Sequence, residues 1–207
     1  MPGRKIKIAV LASGRGSDFQ SIIDAIGRGE VNAKIILMLT DNPDAKAIER
    51  ARKHKIDHSV IPRTGFATRE EHDQAIHRAL DLAKPDLVIL AGYMRIIRDH
   101  GFLKAYDGKM INIHPSLLPK YPGAHAQRDA FEAGEKISGY TIHFVTDSLD
   151  AGPIILQEQV DISGCKTADE AAAKILAREH VGLPRVIQMF TEGSFRIQGG
   201  KAVYRHG

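Results

Sequence analysis

Asn112 and His114 stand two residues apart at the end of an apolar run, Ile111-Asn112-Ile113-His114, and Pro115-Ser116-Leu117-Leu118-Pro119 follows at once. Side chains alternate between the two faces of a strand, so the amide and the imidazole point the same way. A positioned imidazole can serve as a general acid or base. An amide N–H can polarise a carbonyl and hold the oxyanion that develops from it. Pro115 biases His114 toward extended backbone, which keeps the strand geometry. The plain alternative is a polar strand end satisfied by the loop that follows.

Two other stretches carry chemistry. Gly14-Arg15-Gly16-Ser17 lies between an apolar run and an amphipathic one. Glycines there let a backbone approach an anion, and a helix N-terminus offers oriented N–H groups. Phe19 occupies the position where a dinucleotide fingerprint needs glycine, and no Gly-Lys-Ser/Thr follows, so a single phosphate is the natural guest. An ordinary strand-to-helix turn is an equal alternative. Asp18 suits a helix dipole but would repel a phosphate unless its side chain turns away. Downstream, Asp150-Ala151-Gly152-Pro153 brings a carboxylate that could orient an imidazole. The same residues are good turn formers, and spacing alone favours the turn.

Other chemistries find little support. His125, His143 and the pair Glu179-His180 lack the paired spacing of a zinc site, so no metal is expected. There is no Gly-x-Ser-x-Gly elbow and no catalytic-cysteine signature. The lone Cys165 fits a reducing compartment. The formal net charge of +4 suits anionic small molecules, while Lys and Arg are too dispersed for a nucleic-acid stripe. No apolar run approaches the length of a membrane span, and the basic start Met1-Pro2-Gly3-Arg4-Lys5 has no long apolar stretch behind it. A cytoplasmic enzyme without nucleic-acid or membrane partners is the expectation.

These groups need a scaffold, and hydrophobic patterning supplies one. Strands are expected over 6–12, 34–40, 58–62, 86–91 and 111–113, alternating with helices from Ser17, from about 45 to 54 and from Thr68 to Lys84. Ser17/Gln20, Thr68/Glu71 and Thr167/Glu170 have capping-box spacing. The alternation predicts an α/β fold with a Rossmann-like, mostly parallel sheet flanked by helices. Beyond Pro119 the rhythm changes. A helix is expected over 125–133, strands over 139–145 and 154–160, a long helix from Thr167 to about Met189, and a Gly199-Gly200 hairpin. That predicts a mixed, antiparallel C-terminal half, and one continuous unit over 1–207.

Taken in order, LASGRGSDFQSIIDA, LAGYMRII, NIHPSLLPKYPG and HFVTDSLDAGPIILQ resemble the phosphoribosylglycinamide formyltransferase family, the folate-dependent enzymes of purine synthesis. The resemblance spans about Ile6 to Pro184. It implies transfer of a formyl group from the cosubstrate 10-formyltetrahydrofolate to the amine of glycinamide ribonucleotide, with no metal. Asn112, His114 and Asp150 match the family's catalytic trio. Gly16, Ser17 and Asp18 match its phosphate site, where Asp18 replaces the usual asparagine. Glu179 matches a residue at the glycinamide end. Arg69, Met94, Arg95, Ile96, Ile97 and Asn112 match the folate pocket. On this reading 1–113 is a phosphate-binding half and 114–207 a folate-site half. A formyltetrahydrofolate hydrolase and a non-catalytic binding protein are the alternatives, and a homodimer stays open.

Overall fold

The computed structural model describes residues 5–207, and the start Met1-Pro2-Gly3-Arg4 lies outside the described residues. Five parallel strands, β1 (Ile6–Leu11), β2 (Ala33–Thr40), β3 (His58–Val60), β4 (Leu87–Leu90) and β5 (Met110–His114), are continued by two antiparallel ones, β6 (Ile137–Phe144) and β7 (Ile154–Asp161). The order is β3-β2-β1-β4-β5-β6-β7. The chain moves outward from β1 to β3 and then returns to β4. The C-terminal ends of β1 and β4 therefore flank the point where strand order reverses, the usual place for a crevice in open α/β sheets.

Both faces of this sheet are covered, which is why its central strands read as unbroken apolar runs. In β1, Ile8 and Val10 face one core with α1 (Ser17–Gly27), α2 (Ala47–Lys53) and α6 (Ala168–Glu192). Ala9 and Leu11 face the other with α3 (Arg69–Ala83) and α4 (His100–Ala105). The short α5 (Ala126–Glu132) follows β5, and α6 leads into a hairpin of β8 (Gly193–Gln198) and β9 (Lys201–His206). The turn residues Gly199 and Gly200 both have positive φ, 57° and 75°, as a tight two-residue hairpin turn requires. Among the described residues no helix is long and apolar enough to cross a membrane.

The expected elements are present with boundaries shifted by a few residues. The third strand is shorter than expected, ending at Val60, and the long helix runs past Met189 to Glu192. Thr68 and Glu71 form the reciprocal capping box. Thr167 accepts from the Glu170 N–H, but the Glu170 carboxylate reaches back one residue further, to the Lys166 N–H at 2.6 Å. The box expected at Ser17 and Gln20 is absent. Gly16 itself caps α1 in a left-handed conformation, its carbonyl taking the Gln20 N–H at 3.0 Å, so Ser17 already lies inside the helix.

α6 contains Pro184, which has no N–H to give the carbonyl of His180. Burial on both sides holds the helix through this gap: Gly182, Leu183, Pro184, Val186 and Ile187 are all buried. At Gly182 the helix rides directly over the Tyr140 ring. A Cβ there would sit 1.9 Å from the Tyr140 hydroxyl, which is itself fixed to the Glu158 carboxylate at 2.7 Å. Gly182→Ala is therefore expected to cost about 1–3 kcal/mol. Thermal unfolding should show a Tm lower by about 2–4 °C per kcal/mol.

Candidate active site

The Asp150 carboxylate lies where β5, β6 and two loops converge. Asn112 and His114 sit on one face of β5, and β6 pairs with it so that His143 stands opposite Asn112. Asp150, in the connection from β6 to β7, reaches all three. Its Oδ2 is 3.5 Å from His114 Nδ1, and its Oδ1 is 3.5 Å from Asn112 Nδ2 and 3.8 Å from His143 Nε2. The Gly123 N–H, from the loop after β5, donates to Oδ2 at 2.8 Å. The Asp150 side chain is only 9% exposed. Its backbone adopts a left-handed φ of 49°, uncommon for a non-glycine residue and a form of strain that surrounding contacts must hold in place.

Hydrogen-bond accounting fixes the roles of the rings. His143 Nδ1 meets the Phe144 carbonyl at 2.8 Å, so that nitrogen carries the proton. Its Nε2 then accepts from Asn112 Nδ2 at 3.2 Å. Burial also depresses the His143 pKa, in keeping with a neutral ring. The Asn112 amide is thereby oriented with one N–H on His143 and the other toward Asp150. His114 differs. Its Nε2 meets the Tyr121 carbonyl at 2.8 Å and its Nδ1 faces Asp150, so both nitrogens point at acceptors.

A cavity opens beside this cluster's sheet, lined by Arg63, Arg69, His72, Asp73, Met94, Arg95 and Ile96. Four of the expected folate residues, Arg69, Met94, Arg95 and Ile96, lie together there. Ile97 does not line it; it is 2% exposed and packs into the core against α3 and α4. Asn112 belongs to the Asp150 cluster instead. Arg63, on a short 3₁₀ turn (Arg63–Gly65), is an additional cavity residue that no sequence motif marks.

At the other expected site, Gly16 adopts a left-handed φ of 65°, and a Cβ on it would lie 2.9 Å from that of Ala47. Glycine is required on both counts. The turn leaves the first N–H groups of α1 without helical partners, as every helix start does. Arg50 braces the loop from α2, donating from Nε to the Arg15 carbonyl at 2.9 Å and from Nη1 to the Gln20 side chain at 3.0 Å.

The model for the formyl transferase family matches residues 6–187. The chain belongs to this family. It is 39% identical over 95% of its length to the phosphoribosylglycinamide formyltransferase of Escherichia coli, covering 92% of that protein. A trifunctional purine biosynthetic protein of Drosophila melanogaster is 40% identical over 94% of the chain, which spans only 14% of that larger protein. Among solved structures, glycinamide ribonucleotide transformylase 1 from Symbiobacterium toebii superposes with a TM-score of 0.92 at 40% identity, covering 97% of this chain and 94% of that one.

Within the formyl transferase fold, the side chain of Asp18 turns away from the anion loop and into the packing of α1 on α6. It meets Glu179, which is 4% exposed, and lies 3.8 Å from His180 Nε2. Glu179 thus sits beside Asp18, not in the Asp150 cluster. The Asp18 Oδ1 and His180 Nε2 atoms are buried without hydrogen-bond partners. Burial pushes the Asp18 carboxyl up to about 6, and burial followed by repulsion from Asp18 pushes Glu179 up to about 8. Two carboxylates buried side by side resist joint ionisation. Their raised folded-state values mean that stability is fully present at low pH and lost as pH rises through about 6 and about 8. Asp18→Asn should flatten this loss and stabilise the protein at pH 8 relative to wild type by about 1 kcal/mol or more, since one pKa unit corresponds to about 1.4 kcal/mol. Urea unfolding at pH 5 and pH 8 measures it.

Proposed function

We propose that the chain transfers the formyl group of 10-formyltetrahydrofolate to the primary amine of glycinamide ribonucleotide, with Asn112, His114 and Asp150 as the catalytic residues. The observation that carries this reading is the single buried carboxylate facing both the imidazole and the amide. The amine nitrogen attacks the formyl carbon, and the carbonyl electrons move onto its oxygen. Asn112 and His114 supply N–H donors for that oxyanion. On collapse the bond to the folate nitrogen breaks. That nitrogen gains a proton while the attacking amine loses one, and Asp150 relays the proton through water. Asn112 keeps its short bond to His143, so the N–H aimed at Asp150, at a long 3.5 Å, is the one that turns to the substrate.

The substrates are placed by the rest of the site. The phosphate rests on the N–H groups of Gly16, Ser17 and Asp18, with the Asp18 carboxyl turned inward. Glu179 serves the glycinamide end. The folate lies along Arg69, Met94, Arg95 and Ile96 toward Asn112, with Ile97 supporting that wall from the core. The chain works as one unit over 1–207, but the expected split into a phosphate-binding half and a folate-site half needs correcting: 1–113 carries the arginine-lined wall as well as the phosphate loop, because the loops after β3 and β4 line that cavity, and 114–207 supplies Asp150 and the loop over His114. What supports this unity is the seven-stranded sheet that runs across the boundary at β5. Small anionic substrates and the lone half-buried Cys165 suit a cytoplasmic enzyme.

His114→Ala and Asp150→Ala are each expected to lower turnover about 10²–10³-fold while glycinamide ribonucleotide still binds. Absorbance of released tetrahydrofolate, followed with and without the ribonucleotide, tests this. Near-wild-type rates in both variants, or rapid deformylation without the acceptor, would count against the reading. A second expectation concerns the loop 119–128. The Tyr121 carbonyl holds the very N–H that the oxyanion would take, so the loop must rearrange when the formyl donor binds. Hydrogen exchange at 119–128 should change on adding the folate, and unchanged exchange would show that it does not.

A further inference from the structure

Asp41 follows β2 in what reads as a simple turn, Asp41-Asn42-Pro43-Asp44. The turn does not need its side chain. Thr40 Oγ1 accepts from the Asn42 N–H at 3.1 Å, and Asn42 Oδ1 accepts from the Asp44 N–H at 3.0 Å. The Asp41 side chain is instead 4% exposed and bonded across the sheet. One oxygen takes the Ser13 hydroxyl at 2.5 Å and the other takes Arg95 Nε at 2.7 Å. Ser13 closes the circuit. Its Oγ accepts from the Met94 N–H at 3.0 Å, its N–H donates to the Gly92 carbonyl at 3.1 Å, and its carbonyl takes Asn42 Nδ2 at 3.0 Å. One buried charge thus joins the ends of β1, β2 and β4. Ser13 immediately precedes the glycine loop, and Met94 and Arg95 line the arginine-rich cavity.

We propose that Asp41 is a positioning residue that couples the two substrate sites, holding the phosphate loop through Ser13 and the folate wall through Arg95. The physical basis is that a buried carboxylate must keep charge-assisted partners, so it cannot release one loop without disturbing the other. An anion settling on the glycine loop fixes Ser13. Ser13 fixes Asp41, and Asp41 fixes the guanidinium of Arg95 in the orientation the second ligand meets. Occupancy of either site therefore favours the other, by the same factor in both directions.

The inference rests on the assignment of these two sites under the proposed function, and the test separates the two. Binding of glycinamide ribonucleotide and of tetrahydrofolate, the product, is measured by calorimetry for each ligand alone and in the presence of the other. This pair cannot turn over. Wild type is expected to bind each ligand at least threefold more tightly when the other is present. In Asp41→Asn that factor should fall to one, with both affinities at least fivefold weaker. Arg95→Gln should weaken tetrahydrofolate alone and also abolish the coupling. Ser13→Ala removes one hydroxyl and serves if Asp41→Asn does not fold, with the same loss of coupling expected. If wild type binds neither ligand, the site assignment fails and this inference with it. If wild type binds both without coupling, or the Asp41 and Ser13 variants keep wild-type coupling, the inference alone is overturned.

Discussion

A buried carboxylate cannot stand alone, and the site is organised by what Asp150 needs. A charge taken out of water requires donors on every side or it forces a change of protonation. The chain provides them from elements far apart in sequence: β5 gives Asn112 and His114, and the loop after it gives the Gly123 N–H. β6 adds His143, whose neutral ring orients the Asn112 amide. Take the carboxylate away and the Asn112 amide and the His114 imidazole lose the partner they share. The left-handed backbone at Asp150 fits the same picture, because contacts with Asn112, His114 and the Gly123 N–H can hold a conformation that the residue would not choose by itself.

The same logic recurs at the glycine loop with a different outcome. Asp18 and Glu179 are buried against each other with no Lys or Arg ion pair among the described residues; His180 approaches only to 3.8 Å, and burial holds its own pKa down. Burial pushes both carboxyls to higher pKa values, where Asp150 instead gathers donors. Burial of like groups and burial of complementary groups thus lead to opposite electrostatics within one fold. The inward turn of Asp18 also removes the repulsion its carboxyl would pose to the proposed phosphate, since the carboxyl is directed into the α1–α6 packing.

Much of this was legible in the sequence, for identifiable reasons. Period-two alternation placed Asn112 and His114 on one face, and unbroken apolar runs marked a sheet covered on both sides. Thr68 with Glu71 marked a helix start because both halves of that box are local. Interactions set by register were not legible. His143 looked like an isolated imidazole because only the antiparallel pairing of β5 with β6 brings it opposite Asn112. Asp150 looked like a turn former, and spacing offered nothing against that. Ser17 misled as a cap because Gly16 can take a left-handed φ that no other residue would adopt cheaply, which moves the helix start by one residue. Ile97 continued a motif whose neighbours line the cavity, yet it lies in the loop between β4 and α4, which turns it into the core against α3 and α4.

Asp41 shows why local rules fail at this kind of position. A turn beginning Asp-Asn-Pro satisfies every expectation for a turn, so the sequence gives no reason to look further. The reason lies in topology. Strands β2, β1 and β4 are consecutive in the sheet although β2 and β4 are separated by a strand and three helical segments in the chain. Their C-terminal ends meet only because the strand order reverses between β1 and β4. A carboxylate at the end of β2, one strand from that reversal, can bond to loops that sequence distance would never associate. The fold therefore does more than set two loops side by side. It puts a single charge between them, and the geometry of each loop becomes a boundary condition on the other.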